Sequence, residues 1–456
     1  MILTVAQMRA AEDALIAAGS SVEQLMQLAG RGAADWIYRL ACPRPVTVLC
    51  GPGNNGGDGY VIAESLRARG LPVAVVAPLE PVTEAAKSAR AAYGGQIFSQ
   101  GEISHGAVLV DCLFGSGLKR PLSEELLGLL LALCHSHSRR VAVDLPSGVD
   151  SDSGEPLNAG LPPYDLTIAL GAWKYAHWTM PASALMGERR LVSIGVQPVS
   201  GAARLLETPA LVPPAPDAHK YRRGLLTVIS GAMPGASLLA CRAAMHGGAG
   251  YVKLASKAQL AAAPADLVVD ADALDDARNS ALLVGPGLGR NGRAQAILAE
   301  TLARNLPTVL DADALVLLEP ELLGARSAPV IATPHEGELT ALARRFGIDG
   351  EGKRALASQL AERTGMVVIA KGPDTMIAGP GGELTIAAPA SSWLSTAGTG
   401  DVLAGLVASR LTAGAAPFAA ACEAVWLHGE AARMSGAAFS AVGLIGHIPQ
   451  AYSSCL

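Results

Sequence analysis

The sequence predicts an α/β protein of two domains, each with a mainly parallel sheet between helices in a three-layer αβα arrangement. Three observations support this prediction. First, 456 residues are too many for a single hydrophobic core. Second, short apolar runs that end in glycine-rich polar turns and lead into helical patterns recur in both halves. Third, prolines interrupt regular structure between the halves, so we expect domains at residues 1–205 and 221–456 joined by a linker at 206–220.

Composition narrows the functional classes. Half of the residues are hydrophobic and only 16% are charged, which argues against extended disorder. The net charge of −5 offers no basic field for a nucleic-acid backbone, so no nucleic-acid partner is expected. The seven cysteines contain no Cys-x-x-Cys pair, so we expect reduced thiols and no zinc. Without a signal peptide or an apolar run of ~20 residues, a cytoplasmic protein that does not enter a membrane is expected.

The first domain begins with two helices and a strand that enters a glycine-rich turn. Apolar residues recur at helical spacing, with one break, over residues 5–39. A β-branched apolar run at 46–50 is followed by GPGNNGGDG at 51–59 and by a helix that ends at Gly70. This order presents backbone amides to a phosphate, although the turn lacks both GxGxxG and the Lys-Ser/Thr of a P-loop. Ligand binding is favoured over a plain turn because the asparagines and Asp58 add side-chain donors and acceptors.

Two later strands each end in an acid that precedes a polar turn. The strand at 108–111 ends at Asp111 before CLFGSGLKRP, and the strand at 140–144 ends at Asp144 before LPSGVD. Turns that follow parallel strands meet at one edge of a sheet, so the three turns predict one crevice and a first site. Capping of the strand ends is the alternative role for both acids.

The motifs of this half resemble the N-terminal domain of the bifunctional NAD(P)H-hydrate repair enzymes. GNNGGDG, DxxFGSGLxR and VDLPSGVD occur here in that order. The resemblance implies a Rossmann-like fold and the epimerisation of R- and S-hydrates of NADH and NADPH. By position, it implies that the phosphates and ribose of the hydrate are held by two runs of residues: Asn54, Asn55, Gly56, Gly57 and Asp58, and Gly115, Ser116, Gly117, Leu118, Lys119, Arg120 and Pro121.

The same resemblance implies a metal site and a catalytic acid/base. Potassium would be bound by Asn55, Asp111 and Ser147, and Asp144 would contact the reacting ring and transfer protons. Lys174 is a further candidate, in a segment that matches the family only loosely. Serine at position 116 is a mild departure from the threonine that is usual in the family.

The second half repeats the order of strand, turn and helix. A strand at 224–231 leads into a helix at 233–247. Four more strands run into the polar turns GPGLG, DAD, TPHEGE and KGPDT, within residues 281–289, 307–313, 330–338 and 366–375. These turns should also meet at one edge of a parallel sheet.

The stretch TAGTGDVL at residues 396–403 joins a glycine turn to an apolar run with one acid at the junction. Gly398 and Gly400 permit a tight turn, and helical spacing predicts a helix that begins near Thr399. Unpaired amides at a helix start bind a phosphate or a developing oxyanion. Asp401, in the first turn, is therefore either a helix cap or, if it faces a cleft, a general base.

GPGLG, LDADAL, TPHEGEL, KGPDT and TAGTGDVLAG resemble the C-terminal dehydratase domain of the same family, a member of the ribokinase-like superfamily. The resemblance implies that ADP, or ATP in some members, phosphorylates the ring hydroxyl of the S-hydrate. Phosphate then leaves as the double bond reforms, and ADP would yield AMP. Asp401 would remove the hydroxyl proton.

The resemblance also implies two groups of binding residues in this domain. The hydrate would contact Ala236, Gly287, Gly289, His335 and Asp401, and the nucleotide would contact Lys371, Gly372, Pro373, Asp374, Thr375 and Gly400. Asp311 and Asp313 are either water-mediated Mg²⁺ ligands or strand-end caps. We further expect a homo-oligomer.

Two other functional classes stay open at this point. The alternative for the second domain is a ribokinase-like small-molecule kinase that releases a stable phosphoester. The first domain could be a nucleotide-binding module without turnover. The sequence leaves open the choice between ADP and ATP and between the hydrates of NADH and NADPH.

Overall fold

The computed structural model describes residues 1–99, 106–258, 260–324 and 326–456. They form two compact units, Met1–Ala203 and Arg204–Leu456. The division lies just before the predicted boundary at residue 205, because Arg204–Leu205 is a strand of the second unit's sheet.

The first unit consists of short strands and five α-helices within the described residues. The strands are β1 (Ile2–Leu3), β2 (Val46–Cys50), β3 (Val73–Val76), β4 (Ile97–Phe98), β5 (Gly106–Cys112), β6 (His137–Val143), β7 (Leu166–Leu170), β8 (Trp173–Lys174) and β9 (Glu188–Val192). The helices are α1 (Val5–Ala17), α2 (Val22–Ala41), α3 (Asn54–Ala68), α4 (Glu84–Ala92) and α5 (Glu124–Ser136), with 3-10 turns at Tyr175–His177 and Ala182–Leu185.

Seven of these strands form a parallel sheet in the order β4-β3-β2-β5-β6-β7-β9, as predicted for the first half. β1 and β8 pair separately, also in parallel. The chain winds away from β2 in both directions, so β2 and β5 flank the switch point of the sheet. In such folds ligands bind beyond the carboxyl ends of the strands at this point.

The segment that follows β2 differs from the prediction. We expected a loop over residues 51–59, but α3 already begins at Asn54. The glycines explain the early start: a Cβ on Gly56 would lie 1.8 Å from the carbonyl oxygen of Gly51, so only glycine lets the helix approach the strand end this closely. The predicted ligand-binding residues from Asn54 to Asp58 therefore lie on the first turns of a helix.

The second unit contains the remaining strands and helices. The strands are β10 (Arg204–Leu205), β11 (Leu225–Ile229), β12 (Tyr251–Ala255), β13 (Val268–Asp270), β14 (Asn279–Val284), β15 (Thr308–Leu310), β16 (Val330–Ala332), β17 (Val367–Ala370), β18 (Met376–Ala378) and β19 (Leu384–Ile386). The helices are α6 (Pro234–His246), α7 (Gly292–Ala303), α8 (Asp313–Leu317), α9 (Glu336–Arg345), α10 (Gly352–Thr364), α11 (Thr399–Thr412), α12 (Pro417–Ser435) and α13 (Ala441–Ser453), with 3-10 turns at Ala273–Asp275, Pro320–Leu322 and Ser392–Leu394.

The strands of this unit form one sheet in the order β10-β19-β18-β17-β16-β15-β14-β11-β12-β13. It is parallel except where β18 pairs with β17 and β19. The switch point lies between β11 and β14, where the turns before α6 and after β14 meet. Buried α11 crosses α6 at Gly405, whose missing side chain leaves room for the carbonyl oxygen of Ala240.

Residues 206–220 contain no helix or strand, as predicted, but they are attached to the second unit. The N–H of Leu206 donates to the carbonyl oxygen of Ile386, and that of Leu211 donates to Cys455. Leu211 is buried in the core of this unit. In the part of the chain that the structure describes, no helix has the length and apolar character needed to span a bilayer.

Candidate active sites

A cavity of about 680 Å³ lies at the switch point of the first sheet. Ten of the residues predicted to bind the hydrate line it: Asn54, Asn55, Asp58, Gly115, Ser116, Gly117, Leu118, Lys119, Arg120 and Asp144. Gly56 and Gly57 lie behind its wall, where they allow close packing against Gly51 and Met26. Pro121 follows the lining segment.

Asp144 is held rigidly in this cavity. Its Oδ1 accepts from Nζ of Lys174 at 2.6 Å and its Oδ2 accepts from the N–H of Ser116 at 2.8 Å. Burial opposes ionisation, yet the charge of Lys174 and these hydrogen bonds outweigh it and lower the pKa of Asp144. The backbone at Asp144 is left-handed, with φ of 64°, a conformation uncommon for a residue with a side chain. The structure thus brings Lys174 to the site.

His177 forms hydrogen bonds with both Asp144 and Lys174 and was not predicted from the sequence. Its Nδ1 accepts from the N–H of Lys174 at 2.8 Å, which leaves Nε2–H to donate to the carbonyl oxygen of Asp144 at 2.7 Å. Burial and the charge of Lys174 lower the pKa of His177 to about 4. A neutral imidazole of fixed tautomer therefore positions both residues.

Two more carboxyl groups line the cavity. Burial and the charges of Asp144 and Glu12 raise the pKa of Asp58 well above its ordinary value. Burial also raises the pKa of Glu12, which lies on α1 and was missed because α1 carries no recognised motif. Only the helical repeat that places Val5, Met8 and Glu12 on one side of α1 indicates that this side faces inward.

The positively charged side chains at the cavity differ in whether an acidic partner already neutralises them. Lys119 is paired with Asp150 and Asp152. Arg9 and Arg120, by contrast, form no ion pair with the described residues, and both line the cavity. Nη2 of Arg9 lies 3.9 Å from the position that a Cβ on Gly117 would occupy. Arg9, a further residue absent from our prediction, therefore adds a free charge beside the glycine turn.

The predicted potassium ligands lie at or just beyond the carboxyl ends of the neighbouring strands β2, β5 and β6. Asp111 is fully buried and accepts from the hydroxyl and N–H of Ser147 at 2.7 and 3.0 Å. The hydroxyl of Tyr164 also donates to Asp111, at 2.5 Å. Asn55 lies beside Gly115, which follows Phe114, and the N–H of Phe114 donates to the hydroxyl of Ser147 at 2.9 Å. Both polar atoms of the buried Asn55 amide lack a partner among the described residues. An oxygen-rich set with an unpaired buried amide fits a potassium ion.

In the second unit, Asp401 lies in the first turn of α11. Gly398, with φ of 90°, precedes this helix, and no side chain caps it. Asp401 forms no hydrogen bond with the described residues, so the role of helix cap is not supported. Burial and the nearby charge of Asp311 raise the pKa of Asp401 to about 6, although Lys371 opposes the shift.

Lys371 joins three of the predicted turns. Its Nζ lies 2.7 Å from Oδ1 of Asp311, which also accepts from the hydroxyl of Thr333 at 2.6 Å. The same Nζ is 3.6 Å from the position that a Cβ on Gly400 would occupy. The turn after β15, the turn after β17 and the first turn of α11 therefore lie around the ammonium group of Lys371. This group is next to the amides that begin α11.

The other predicted residues of this unit have mostly local partners. Asp313 accepts from the N–H of Gly289 at 2.9 Å and from Nε of Arg290 at 2.7 Å. Gly287 packs on the carbonyl oxygen of Met233, which brings the GPGLG turn to the first turn of α6, where Ala236 lies. The remaining contacts pair Asp374 with Lys353, Thr375 with Gly372 beside Pro373, and His335 with the first amides of α9.

Two family profiles match the chain, one in each half. The profile described as YjeF-related protein N-terminus matches residues 22–176, and that described as NAD(P)H-hydrate dehydratase matches residues 226–447. The bifunctional NAD(P)H-hydrate repair enzyme Nnr of Gloeobacter violaceus is 34% identical, over 96% of this chain and 94% of that protein. The chain belongs to the bifunctional NAD(P)H-hydrate repair enzyme family. The Salinibacter ruber Nnr is 35% identical over 96% of this chain and 92% of its own length.

Comparison with solved structures bears on the predicted fold of this repair-enzyme chain. A ribokinase-like superfamily protein from Enterococcus faecalis V583 aligns with a TM-score of 0.50 and 22% identity, over 57% of this chain and 98% of that one. The ribokinase-like fold predicted for the second half is therefore confirmed. The N-terminal family profile begins at residue 22, so it leaves out α1 with Arg9 and Glu12.

Proposed function

We propose that the first unit epimerises the hydrates of NADH and NADPH, and that the second unit dehydrates the S-hydrate with ADP or ATP. The observation that carries the proposal is the convergence of Asp401, Lys371 and the amides of α11 at one edge of the second sheet. A base, a cation and free amide donors are what phosphoryl transfer to a ring hydroxyl requires.

Dehydration is limited by the leaving group. Hydroxide leaves poorly near neutral pH, whereas a phosphate ester leaves readily, so the hydroxyl is phosphorylated first. Asp401 removes its proton, and a pKa of about 6 leaves this carboxylate ionised yet basic at pH 7. The amides from Gly398 to Gly400 stabilise charge on the transferred phosphoryl group, and Lys371 binds the nucleotide phosphates as a point charge. Transfer from ADP leaves AMP and, after elimination, free phosphate.

The predicted binding residues extend this site. The hydrate contacts Ala236, Gly287, Gly289 and His335 beside the turn before α6, and the nucleotide contacts Gly400 and residues 371–375. Mg²⁺ would bind near Asp311 and would neutralise the phosphates. The carboxylate of Asp311 is a hard oxygen donor that suits Mg²⁺, whose remaining ligands would be phosphate oxygens and water. Asp313 is already engaged by Gly289 and Arg290 and acts as a structural cap.

In the first unit, Asp144 is the acid/base at the reacting carbon, and the cavity walls hold the rest of the hydrate. Arg9 and Arg120 have free charges for its phosphates, while Lys119 is screened by two aspartates. Potassium would be held by Asn55, Asp111 and Ser147, where it supplies a fixed positive charge. Reduced thiols throughout the chain fit a cytoplasmic enzyme, and we propose a homo-oligomer, which light scattering can test.

The experiment incubates the full chain with mixed hydrate epimers and either ADP or ATP, and follows reduced-nicotinamide absorbance together with free phosphate. The proposal expects both to rise in equal amounts. A stable phosphoester without restored absorbance would instead identify a ribokinase-like kinase, the alternative for this half.

A further inference from the structure

The cavity of the first unit holds more ionisable groups than binding by the glycine turns requires. Besides Asp144 and Lys174, its lining includes Glu12 from α1 and Asp58 from α3. Asp58 belongs to a motif already implicated in binding, whereas nothing so far accounts for Glu12. A role for Glu12 in catalysis rests on the proposed epimerase function.

The local structure holds Glu12 in place beside the reacting residues. β1 pairs with β8 so that Leu3 lies opposite Lys174, and α1 begins directly after β1. Thr4 caps α1, and the N–H of Val5 donates to the carboxylate of Asp152 at 2.8 Å. The helix is therefore anchored to the strand that carries Lys174, which fixes the side of α1 that faces the cavity.

Glu12 has no structural partner that would explain a carboxyl group there. It is only partly exposed, and it forms neither an ion pair nor a hydrogen bond with the described residues. A carboxyl group that is half removed from water without a partner is costly when ionised. Its position in the wall of a ligand cavity is thus explained better by chemistry on the ligand than by stability.

The surroundings of Asp144 favour its ionised form, whereas those of Glu12 favour its protonated form. Lys174 is committed to Asp144, which it keeps ionised. Burial keeps the pKa of Glu12 raised despite the opposing field of Lys174. The groups that act on Glu12 are Lys174 and Arg9, which favour ionisation, and Asp144, Asp13 and Asp58, which oppose it. Environments that push two carboxyl groups apart in this way assign one as base and the other as acid.

Epimerisation needs both kinds of group. The reacting carbon carries the hydroxyl and is bonded to the ring nitrogen. When the carbon–oxygen bond breaks, the nitrogen lone pair forms a carbon–nitrogen double bond, and the departing oxygen takes a proton and leaves as water. Water then adds to the opposite face and gives up one proton. The atoms and protons balance, and no oxidant or reductant is needed.

We propose that Glu12 is the general acid of the epimerase site, which donates the proton to the departing hydroxyl while Asp144 accepts the proton from the attacking water. The two groups exchange roles when the reaction runs in reverse. α1 is thus part of the catalytic site, although the N-terminal family profile begins after it.

The test measures epimerisation by the full chain without nucleotide, so that the dehydratase cannot act, starting from one purified epimer and separating the two by chromatography. For Glu12→Gln we expect kcat to fall about 10²-fold or more, with KM little changed. The high-pH limb of the kcat/KM profile, which reports loss of the proton from the acid, should disappear. Glu12→Asp should keep that limb at a reduced rate.

The control is Glu23→Gln, the same change at an exposed residue of α2 that does not line the cavity and does not act on Glu12, and it should match the wild type. Circular dichroism checks folding, and Glu12→Asp decides the question if the glutamine variant unfolds. A Glu12→Gln enzyme with wild-type kcat, or one with reduced kcat but both pH limbs intact, would overturn the proposal. A wild type that fails to epimerise would instead contradict the proposed function itself.

Discussion

Asp401, the proposed general base, lowers the stability of the fold when it is ionised. Its pKa in the folded chain is about 6, above the ordinary 3.8, so the folded state binds the proton more tightly than the unfolded state. By linkage, stability is lost as the pH rises from about 4 to about 6, and the cost persists at neutral pH. An ionised side chain that lowers the stability of the folded state is typical of a functional site.

We therefore predict opposite effects of Asp401→Asn on activity and stability. Recovery of NADH should fall by roughly 10²–10⁴-fold, because the base is lost. At pH 7, urea unfolding of the second unit should show a gain of roughly 1–3 kcal/mol, reduced by the partial exposure of the group, and the gain should vanish near pH 4. Unchanged turnover would rule out the general base.

The pair of Lys174 and Asp144 has the opposite effect on stability. Each of these buried charges is stabilised by the other, so loss of one leaves the other unpaired. The two side chains are 2% and 9% exposed. Lys174→Met should leave a buried unpaired carboxylate and lower the free energy of unfolding of the first unit by roughly 3–5 kcal/mol. The matched control is Lys119→Met, whose partly exposed pair should contribute less than about 1 kcal/mol. Equal losses in the two variants would contradict this account.

Sequence reasoning found the residues that belong to local motifs and missed those that depend on the path of the chain. Asp144 and Asp401 each follow a strand or a glycine turn, so their place at a sheet edge could be predicted. Glu12 reaches the site through the pairing of β1 with β8, and His177 reaches it through a short 3-10 turn. Neither the pairing nor the turn produces a periodic pattern of apolar residues in the sequence.

At the scale of elements, the close approach of α3 to β2 determines where the first cavity forms. This approach depends on Gly56, where a Cβ would overlap the carbonyl oxygen of Gly51. Gly56→Ala should therefore displace the start of α3, weaken hydrate binding and lower the melting temperature of the first unit. The comparison is Gly128→Ala on α5, where a Cβ meets nothing within 4 Å and helix stability should rise by up to ~1 kcal/mol. If both substitutions were neutral, close packing would not define the site.

The strands that were predicted correctly are buried apolar runs followed by a polar turn, such as β2, β5 and β16. The antiparallel pairing of β18 with β17 and β19 was not predicted, because β18 and β19 have three residues each, too few to show an alternating pattern. The early start of α3 was missed for a different reason. Glycines are typical of loops, and only the approach of a neighbouring strand explains their use within a helix.

At the scale of the whole molecule, the chain carries two sites on separate units with related substrates. A dehydratase that accepts one epimer leaves the other unrepaired, and an epimerase on the same chain returns it. The two-domain organisation could be predicted from the length of the chain, the recurring order of strand, turn and helix, and the proline-rich segment. The attachment of residues 206–220 to the second unit could not, because it depends on contacts with Ile386 and Cys455.

The most direct test of this division of labour is a complementation assay on full-length variants. Mixed hydrate epimers are incubated with ADP or ATP, and reduced-nicotinamide absorbance is followed to its plateau against an enzyme-free control for spontaneous epimerisation. Asp144→Asn should recover one epimer quickly and then stall, Asp401→Asn should recover nothing, and a mixture of the two variants should reach the wild-type plateau. Full recovery at the wild-type rate by either variant alone would contradict the assignment of the two sites.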